Sequence, residues 1–134
     1  MSTVRPPASP EENPRVKAVF DDIRATRNTD FIGNVWRYLA FDPALLENVW
    51  YDIKEVMATE TLLDSKTKEM IYAAVSIANN CDYCIHSHTA QAKAKGMTDA
   101  EHAELIRIVT LATKTNALAN ALQVPTDPQV DAGA

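Results

Sequence analysis

The sequence predicts an all-α fold of about six helices in one domain. Apolar residues recur at the three- and four-residue spacing of helices along most of the chain. The residues that precede these stretches are good helix caps: Asn13, Asp42, Asp64 and Thr98. No stretch alternates apolar and polar residues as a half-buried strand does, and we find no internal repeat. We therefore expect a helical domain over residues 13–124, an N-terminal arm over 1–12 and a flexible C-terminal tail over 125–134.

The first helix is expected to follow the proline-rich arm. Asn13 can cap it, and Pro14 suits the first helical position because the amide hydrogen that proline lacks has no partner there. One apolar stripe then continues to about Arg27, formed by Val16, Val19, Phe20 and Ile23. The helix could instead start at Ser9, with Glu12 completing a capping box. Pro14 would then lie inside the helix, where proline is far less favourable than at the first helical position.

Two of the next three helices are marked by aspartate caps. A short helix around Trp36 ends before Asp42, which caps the third helix. That helix has a wide apolar stripe to about residue 58. Asp64 caps the fourth helix, over about 65–78, and most of its surface is apolar. A helix of this composition is expected at the centre of the fold.

Two further helices complete the prediction. The fifth is expected to begin at Cys81 and to end at Gly96. A second capping box, from Thr98 to Glu101, opens the sixth. Residues 117–122 either continue that helix or form a separate short one.

Composition and charge narrow the possible functions. The 134 residues can build one hydrophobic core but not two. A net charge of −5 argues against a nucleic-acid partner and against an anionic membrane surface. No apolar stretch approaches the ~18 residues needed to span a bilayer, and the N-terminus has no apolar signal-peptide core. We therefore expect a cytoplasmic protein, and in that reducing compartment closely spaced cysteines are more often catalytic or metal-binding than structural.

Residues 69–88 contain both cysteines of the chain and two of its three histidines. Cys81 and Cys84 lie one helical turn apart, so their Cα atoms should be about 5–6 Å apart, within disulfide range. A helix N-terminus and a neighbouring imidazole each lower the pKa of a thiol from its ordinary value of about 8.5. The helix dipole favours the first-turn cysteine, whereas a face shared with His88 favours Cys84. These residues alone leave the order of the two cysteines open.

Two side chains could move protons beside the cysteines. His88 shares a helical face with Cys84, whereas His86 points elsewhere. If the fourth and fifth helices pack antiparallel, Glu69 could hold His88 in the tautomer that accepts a proton. Lys95 is interpreted as part of a solvated face. Zinc ligation by both cysteines and both histidines is disfavoured because histidines two positions apart diverge on a helix, so we predict no metal and no cofactor.

The spacing of these residues matches a known family. The pattern resembles that of the AhpD-like alkylhydroperoxidases of the carboxymuconolactone decarboxylase superfamily. It consists of Glu69, eleven residues, Cys81-x-x-Cys84, three residues and His88. The close likeness covers roughly residues 62–97. This resemblance implies an all-helical homo-oligomer that reduces hydroperoxides through a cysteine cycle.

The resemblance also implies roles for individual residues. By position, Cys84 would be the peroxidatic thiolate that becomes a sulfenic acid, and Cys81 would resolve it to the disulfide. His88 and Glu69 would form the proton relay, directly or through a water. The best-studied members have a second histidine between the cysteines, and Tyr83 stands at that position here.

The implied partners are a hydroperoxide and an external dithiol reductant, lipoyl or thioredoxin-like, with or without a separate peroxiredoxin. The role of the missing family histidine is either lost or moved to His86. The wide apolar stripes of the third and fourth helices favour a homo-oligomer, with dimer, trimer and hexamer all open.

Three other functions compete with a hydroperoxide reductase. The first is a disulfide reductase or adaptor that recycles a separate peroxiredoxin. The second is a non-redox enzyme resembling carboxymuconolactone decarboxylase, a branch that does not depend on a Cys-x-x-Cys pair. The third is a binding or assembly module whose disulfide only reports redox state.

Overall fold

The protein is all-helical in its computed structural model, which describes residues 1–133. Within these residues there are six α-helices, two short 3-10 turns and no β-strand. The helices are α1 Pro14–Arg27, α2 Asn34–Leu39, α3 Pro43–Met57, α4 Ser65–Ala78, α5 Asp82–Ala94 and α6 Asp99–Leu122. The predicted fold class and the predicted number of helices are confirmed.

The start of α1 is decided by Asn13. Its side chain accepts a hydrogen bond from the backbone N–H of Arg15, and Pro14 occupies the first helical position. Ser9 makes no capping hydrogen bond, and the segment Pro10–Glu12 after it forms only a 3-10 turn. The helix therefore begins where an internal proline is avoided.

The other predicted caps also form. The side chains of Asp42 and Asp64 accept backbone N–H groups at the starts of α3 and α4. Thr98 and Glu101 bond reciprocally at the start of α6, which is the predicted capping box. Helix α6 is continuous to Leu122, so residues 117–122 do not form a separate helix.

The chain divides into two compact units. The N-terminal unit comprises residues 1–62 and contains α1, α2 and α3. Its buried core is Val16, Val19, Phe20, Ile23, Ile32, Trp36, Ala40, Leu46 and Trp50. The indoles of Trp36 and Trp50 meet edge to face, with ring centroids 5.4 Å apart. The indole N–H of Trp50 donates to Asp22, which also pairs with Lys54, so the polar edge of this core is satisfied.

The C-terminal unit begins at residue 63 and contains α4, α5 and α6. Its core is small, with Ala92, Met97, Leu105 and Val109 buried beneath Met70, Ala74 and Ile77 of α4. Helix α4 packs against both α5 and α6. It is less central than its composition predicts, because those helices cover one face and leave Ile71 49% and Val75 53% exposed. The predicted division into arm, single domain and tail stays a prediction.

No helix within residues 1–133 is long and apolar enough to cross a membrane.

Candidate functional site

The site is built on the hairpin formed by α4 and α5. Asn80 adopts the left-handed conformation (φ 55°), which asparagine tolerates, and this reverses the chain within two residues. At the turn, the backbone N–H of Cys81 donates to the carbonyl of Ser76. At the far end, Lys95 reaches Glu69. The two helices are therefore antiparallel, as the site hypothesis requires.

The two cysteines form a disulfide at the start of α5. Cys81 is the N-cap residue, and Cys84 lies in the first turn. Their Cα atoms are 5.3 Å apart, as the one-turn spacing predicts. The backbone N–H of Cys84 points at the Cys81 sulfur, 3.4 Å away. A thiolate formed at Cys81 would therefore accept a backbone hydrogen bond at the positive end of a helix.

His88 and Glu69 are in direct contact between the two helices. Nδ1 of His88 lies 2.7 Å from Oε2 of Glu69, and the carboxylate is only 5% exposed. His88 lies one turn beyond Cys84 on α5, so the histidine and this cysteine share a helical face. The structure thus brings together the four residues of the predicted site on one helical hairpin.

Glu69 has a second partner, Lys95. The ammonium nitrogen lies 3.2 Å from Oε1, the carboxylate oxygen that His88 does not contact. Burial by itself raises the pKa of Glu69. The hydrogen bond from His88, together with the charge of His88 when it is protonated and the charge of Lys95, outweighs burial, so the pKa is lowered overall. Glu69 is therefore ionised at neutral pH.

An ionised Glu69 defines the tautomer of His88. A carboxylate only accepts hydrogen bonds, so Nδ1 must carry the hydrogen that lies between the two groups. In the neutral imidazole, Nε2 is then left without a hydrogen and can accept a proton. Tyr72 stacks on the same ring, with centroids 3.6 Å apart and planes inclined by 21°, and so restricts its rotation.

The remaining candidates lie at the margin of the site. His86 and Tyr83 are both on the exposed side of α5. No three His, Cys, Asp or Glu side chains within residues 1–133 form a group with metal-binding geometry.

Known proteins are similar to this chain in sequence and in fold. The carboxymuconolactone decarboxylase family matches residues 44–127, more than half of the chain. The chain belongs to this family. Its structure is similar to the crystal structure of the alkylhydroperoxidase AhpD core from Rhodospirillum rubrum, with 58% identity and a TM-score of 0.92. That match covers 96% of each chain, and it confirms the AhpD-like resemblance.

A curated relative is more distant. The chain is 29% identical over 63 residues to "Uncharacterized protein 4 in cox locus" from Paracoccus denitrificans. The match covers 47% of this chain and 57% of that protein's length.

Sequence reasoning missed two residues of the site. Lys95 is predicted to lie on a solvated face, and the residue is exposed, but its side chain, 31% exposed, also contacts a buried carboxylate. Its position seven residues after His88, two turns along the same face, was the available signal. Tyr72 gave a similar signal, because it lies one turn beyond Glu69 on α4. Neither spacing alone shows that the side chain turns toward the histidine.

Proposed function

We propose that this protein reduces hydroperoxides through the Cys81–Cys84 dithiol. The observation that carries the proposal is the position of the redox pair at the start of α5, with the Glu69–His88 pair one turn beyond Cys84. A nucleophile, a base and a group that orients the base recur in enzymes that activate weakly acidic nucleophiles. Family membership and the similarity to an alkylhydroperoxidase AhpD core support the same reaction class.

Cys84 carries out the first chemical step. Its thiol proton passes to Nε2 of His88 while Nδ1–H stays bonded to Glu69. The thiolate then attacks the peroxide oxygen that bears hydrogen, so that an S–O bond forms and the O–O bond breaks. The alkoxide leaves as an alcohol after taking the proton from His88, and Cys84 is oxidised to a sulfenic acid.

Cys81 completes the cycle. Its thiol gives up a proton, and the thiolate attacks the sulfur of the Cys84 sulfenic acid. An S–S bond forms, the S–O bond breaks, and the hydroxide leaves as water after taking up that proton. The short Cα separation lets this occur with little backbone movement. An external dithiol of lipoyl or thioredoxin type then reduces the disulfide. The sum is one hydroperoxide and one dithiol converted to an alcohol, water and a disulfide.

The direct test is peroxide consumption by the pre-reduced protein. We expect one equivalent of an organic hydroperoxide to be consumed as two titratable thiols are lost, with no crosslink between chains. Cys84→Ser should reduce consumption to below about one hundredth of the wild-type rate, because serine cannot replace the thiolate. Wild-type consumption by Cys84→Ser would overturn the mechanism.

Cys81→Ser tests the order of the two cysteines. If Cys84 is oxidised first, this variant should consume one equivalent of peroxide and accumulate a sulfenic acid at Cys84 that a dimedone-type reagent traps. A sulfenic acid trapped instead at Cys81 in Cys84→Ser, with normal rates, would reverse the assigned roles.

Two outcomes would assign a different function. Fast exchange of the disulfide with a dihydrolipoyl or thioredoxin-like donor, without direct peroxide turnover, would indicate an adaptor for a separate peroxiredoxin. Decarboxylation of an unsaturated lactone acid that survives replacement of both cysteines by alanine would indicate the non-redox reaction of the family name.

We also infer that copies of the chain associate through α4 and α6. Helix α6 exposes a series of large apolar side chains: Ile106, Ile108, Leu111, Leu118 and Leu122. Ile71 and Val75 of α4 are exposed as well, and exposed apolar side chains grouped in this way are typical of subunit interfaces. Light scattering should give the mass of an oligomer. Leu111→Lys should lower that mass, whereas Val130→Lys, at an exposed position beyond α6, should not.

A further inference from the structure

Lys95 occupies a position that the relay of cysteine, histidine and glutamate leaves unexplained. It stands at the C-terminal end of α5, seven residues after His88, and its ammonium group reaches across to α4. The two residues divide the Glu69 carboxylate between them, with Lys95 on Oε1 and His88 on Oε2. Each carboxylate oxygen therefore has its own partner.

A buried carboxylate needs such a partner throughout the reaction. Glu69 is 5% exposed, and burial alone would favour its protonated form. In the proposed cycle His88 takes up and releases the thiol proton, whereas Lys95 takes no part in proton transfer. Lys95 is therefore the partner of Glu69 that stays the same throughout the cycle.

We propose that Lys95 is a positioning residue of the proton relay. By holding Oε1, it keeps Oε2 of Glu69 turned toward Nδ1 of His88, so that Nε2 stays available to accept the thiol proton. This inference rests on the relay proposed above, and it adds a fourth side chain to that relay. Lys95 acts through Glu69 and does not touch the reacting sulfur atoms.

Two neighbouring lysines, Lys66 and Lys93, are paired with other carboxylates. On α5, His88 is the other ionisable side chain bonded to Glu69. On α6, Glu101 pairs with Lys66 of α4, three positions before Glu69. Lys93, two residues before Lys95 on α5, pairs with Asp99 near the start of α6. Lys93 is therefore the matched control, since it carries the same charge on the same helix with a different partner.

The experiment measures thiol reactivity rather than peroxide turnover. The full-length protein is reduced and freed of reductant, and the rate of Cys84 alkylation by iodoacetamide is followed from pH 5 to 9. We expect Lys95→Met to slow alkylation about fivefold near neutral pH, because Glu69 loses the charge that orients it. Lys95→Arg should restore the rate to within about twofold of wild type, and Lys93→Met should leave it unchanged.

A second background separates positioning from a direct charge effect. Removing any cation near a thiolate slows alkylation, whether or not the relay is involved. We therefore repeat Lys95→Met in Glu69→Gln, where a residue acting through Glu69 should have no further effect. An undiminished effect in that background would overturn the proposal, as would a wild-type profile for Lys95→Met alone.

His88→Ala distinguishes this proposal from the proposed function. If His88→Ala slows alkylation and Lys95→Met does not, the relay stands and the role of Lys95 is wrong. If His88→Ala also leaves the rate unchanged, the relay itself is wrong, and with it the role of Lys95. Peroxide turnover does not enter either result.

Discussion

The two units of the chain bury different chemistry. The N-terminal unit closes over a purely apolar core with two tryptophans in edge-to-face contact, and its ionic groups stay at the edge of that core. The C-terminal unit has a smaller apolar core, and its buried residues include a carboxylate, Glu69, and the hydroxyl of Ser76. The apolar core of the N-terminal unit favours stability. The C-terminal unit buries less apolar surface and instead holds ionisable groups close together.

The polar partners differ in the same way. In the N-terminal unit, Trp50 and Lys54 satisfy Asp22, a half-buried group with no chemistry beside it. In the C-terminal unit, His88 and Lys95 satisfy Glu69, and the histidine lies one turn from the Cys81–Cys84 disulfide. Both carboxylates have a lowered pKa, but only Glu69 lies beside the cysteines of the proposed reaction. A paired carboxylate alone therefore does not distinguish a candidate site from a structural ion pair.

The largest expected effect is on the stability of the N-terminal unit. Trp50→Ala should lower the free energy of unfolding by about 3–5 kcal/mol, because it leaves a cavity and removes the indole N–H that donates to Asp22. Urea unfolding measures the loss. In the protein that remains folded, the alkylation rate of Cys84 should stay at the wild-type value. A changed alkylation rate of Cys84 in the folded variant would show that the N-terminal core also influences the reactivity of the cysteines.

The next effect is on reactivity in the C-terminal unit. His88→Ala should slow the alkylation of Cys84 at pH 7 about tenfold, since the thiol loses the base that helps to ionise it and its pKa returns toward the ordinary value of about 8.5. That factor corresponds to about 1.4 kcal/mol. His86→Ala, on the exposed side of the same helix, is the matched control and should stay within about twofold of wild type. An equal decrease of the alkylation rate in both variants would contradict a specific role of His88.

Helix caps should show that the units differ in their cores and not in their helix ends. Asn13→Ala in the N-terminal unit and Thr98→Ala in the C-terminal unit each remove a side-chain acceptor from the first turn of a helix. Each should cost about 1 kcal/mol in urea unfolding, the usual cost of a lost cap. A several-fold difference between the two variants would show that the local structure of the units also differs.

The pH dependence of stability gives the finest comparison. The pKa of Glu69 is lowered from 4.5 and that of Asp22 from 3.8, so the folded state binds these protons less readily than the unfolded state. Each group therefore contributes stability above its ordinary pKa, and that stability is lost as the pH falls through the folded value. Glu69→Gln should reduce the loss of unfolding free energy that begins as the pH falls below about 4.5. Asp22→Asn should reduce the loss that begins below about 3.8. Urea midpoints measured from pH 3 to 7 test both, and unchanged curves would contradict the lowered pKa values.

Much of the fold was predictable because helix ends depend on neighbouring residues. Asn13, Asp42, Asp64 and Thr98 each cap the helix that they were predicted to cap. The burial of α4 was not predictable in the same way. Its composition is apolar on most of its surface, but coverage depends on how many helices pack against it, and two helices leave Ile71 and Val75 exposed.

By itself the sequence determined the helices, the one-turn spacing of the cysteines and the shared face of Cys84 and His88. These follow from helix geometry within a single segment. Only the tertiary structure decided that Glu69 meets Nδ1 of His88, that Lys95 takes the other carboxylate oxygen and that Tyr72 stacks on the imidazole. Those contacts depend on the rotation and offset of α5 against α4, which long-range packing sets and which no local spacing specifies.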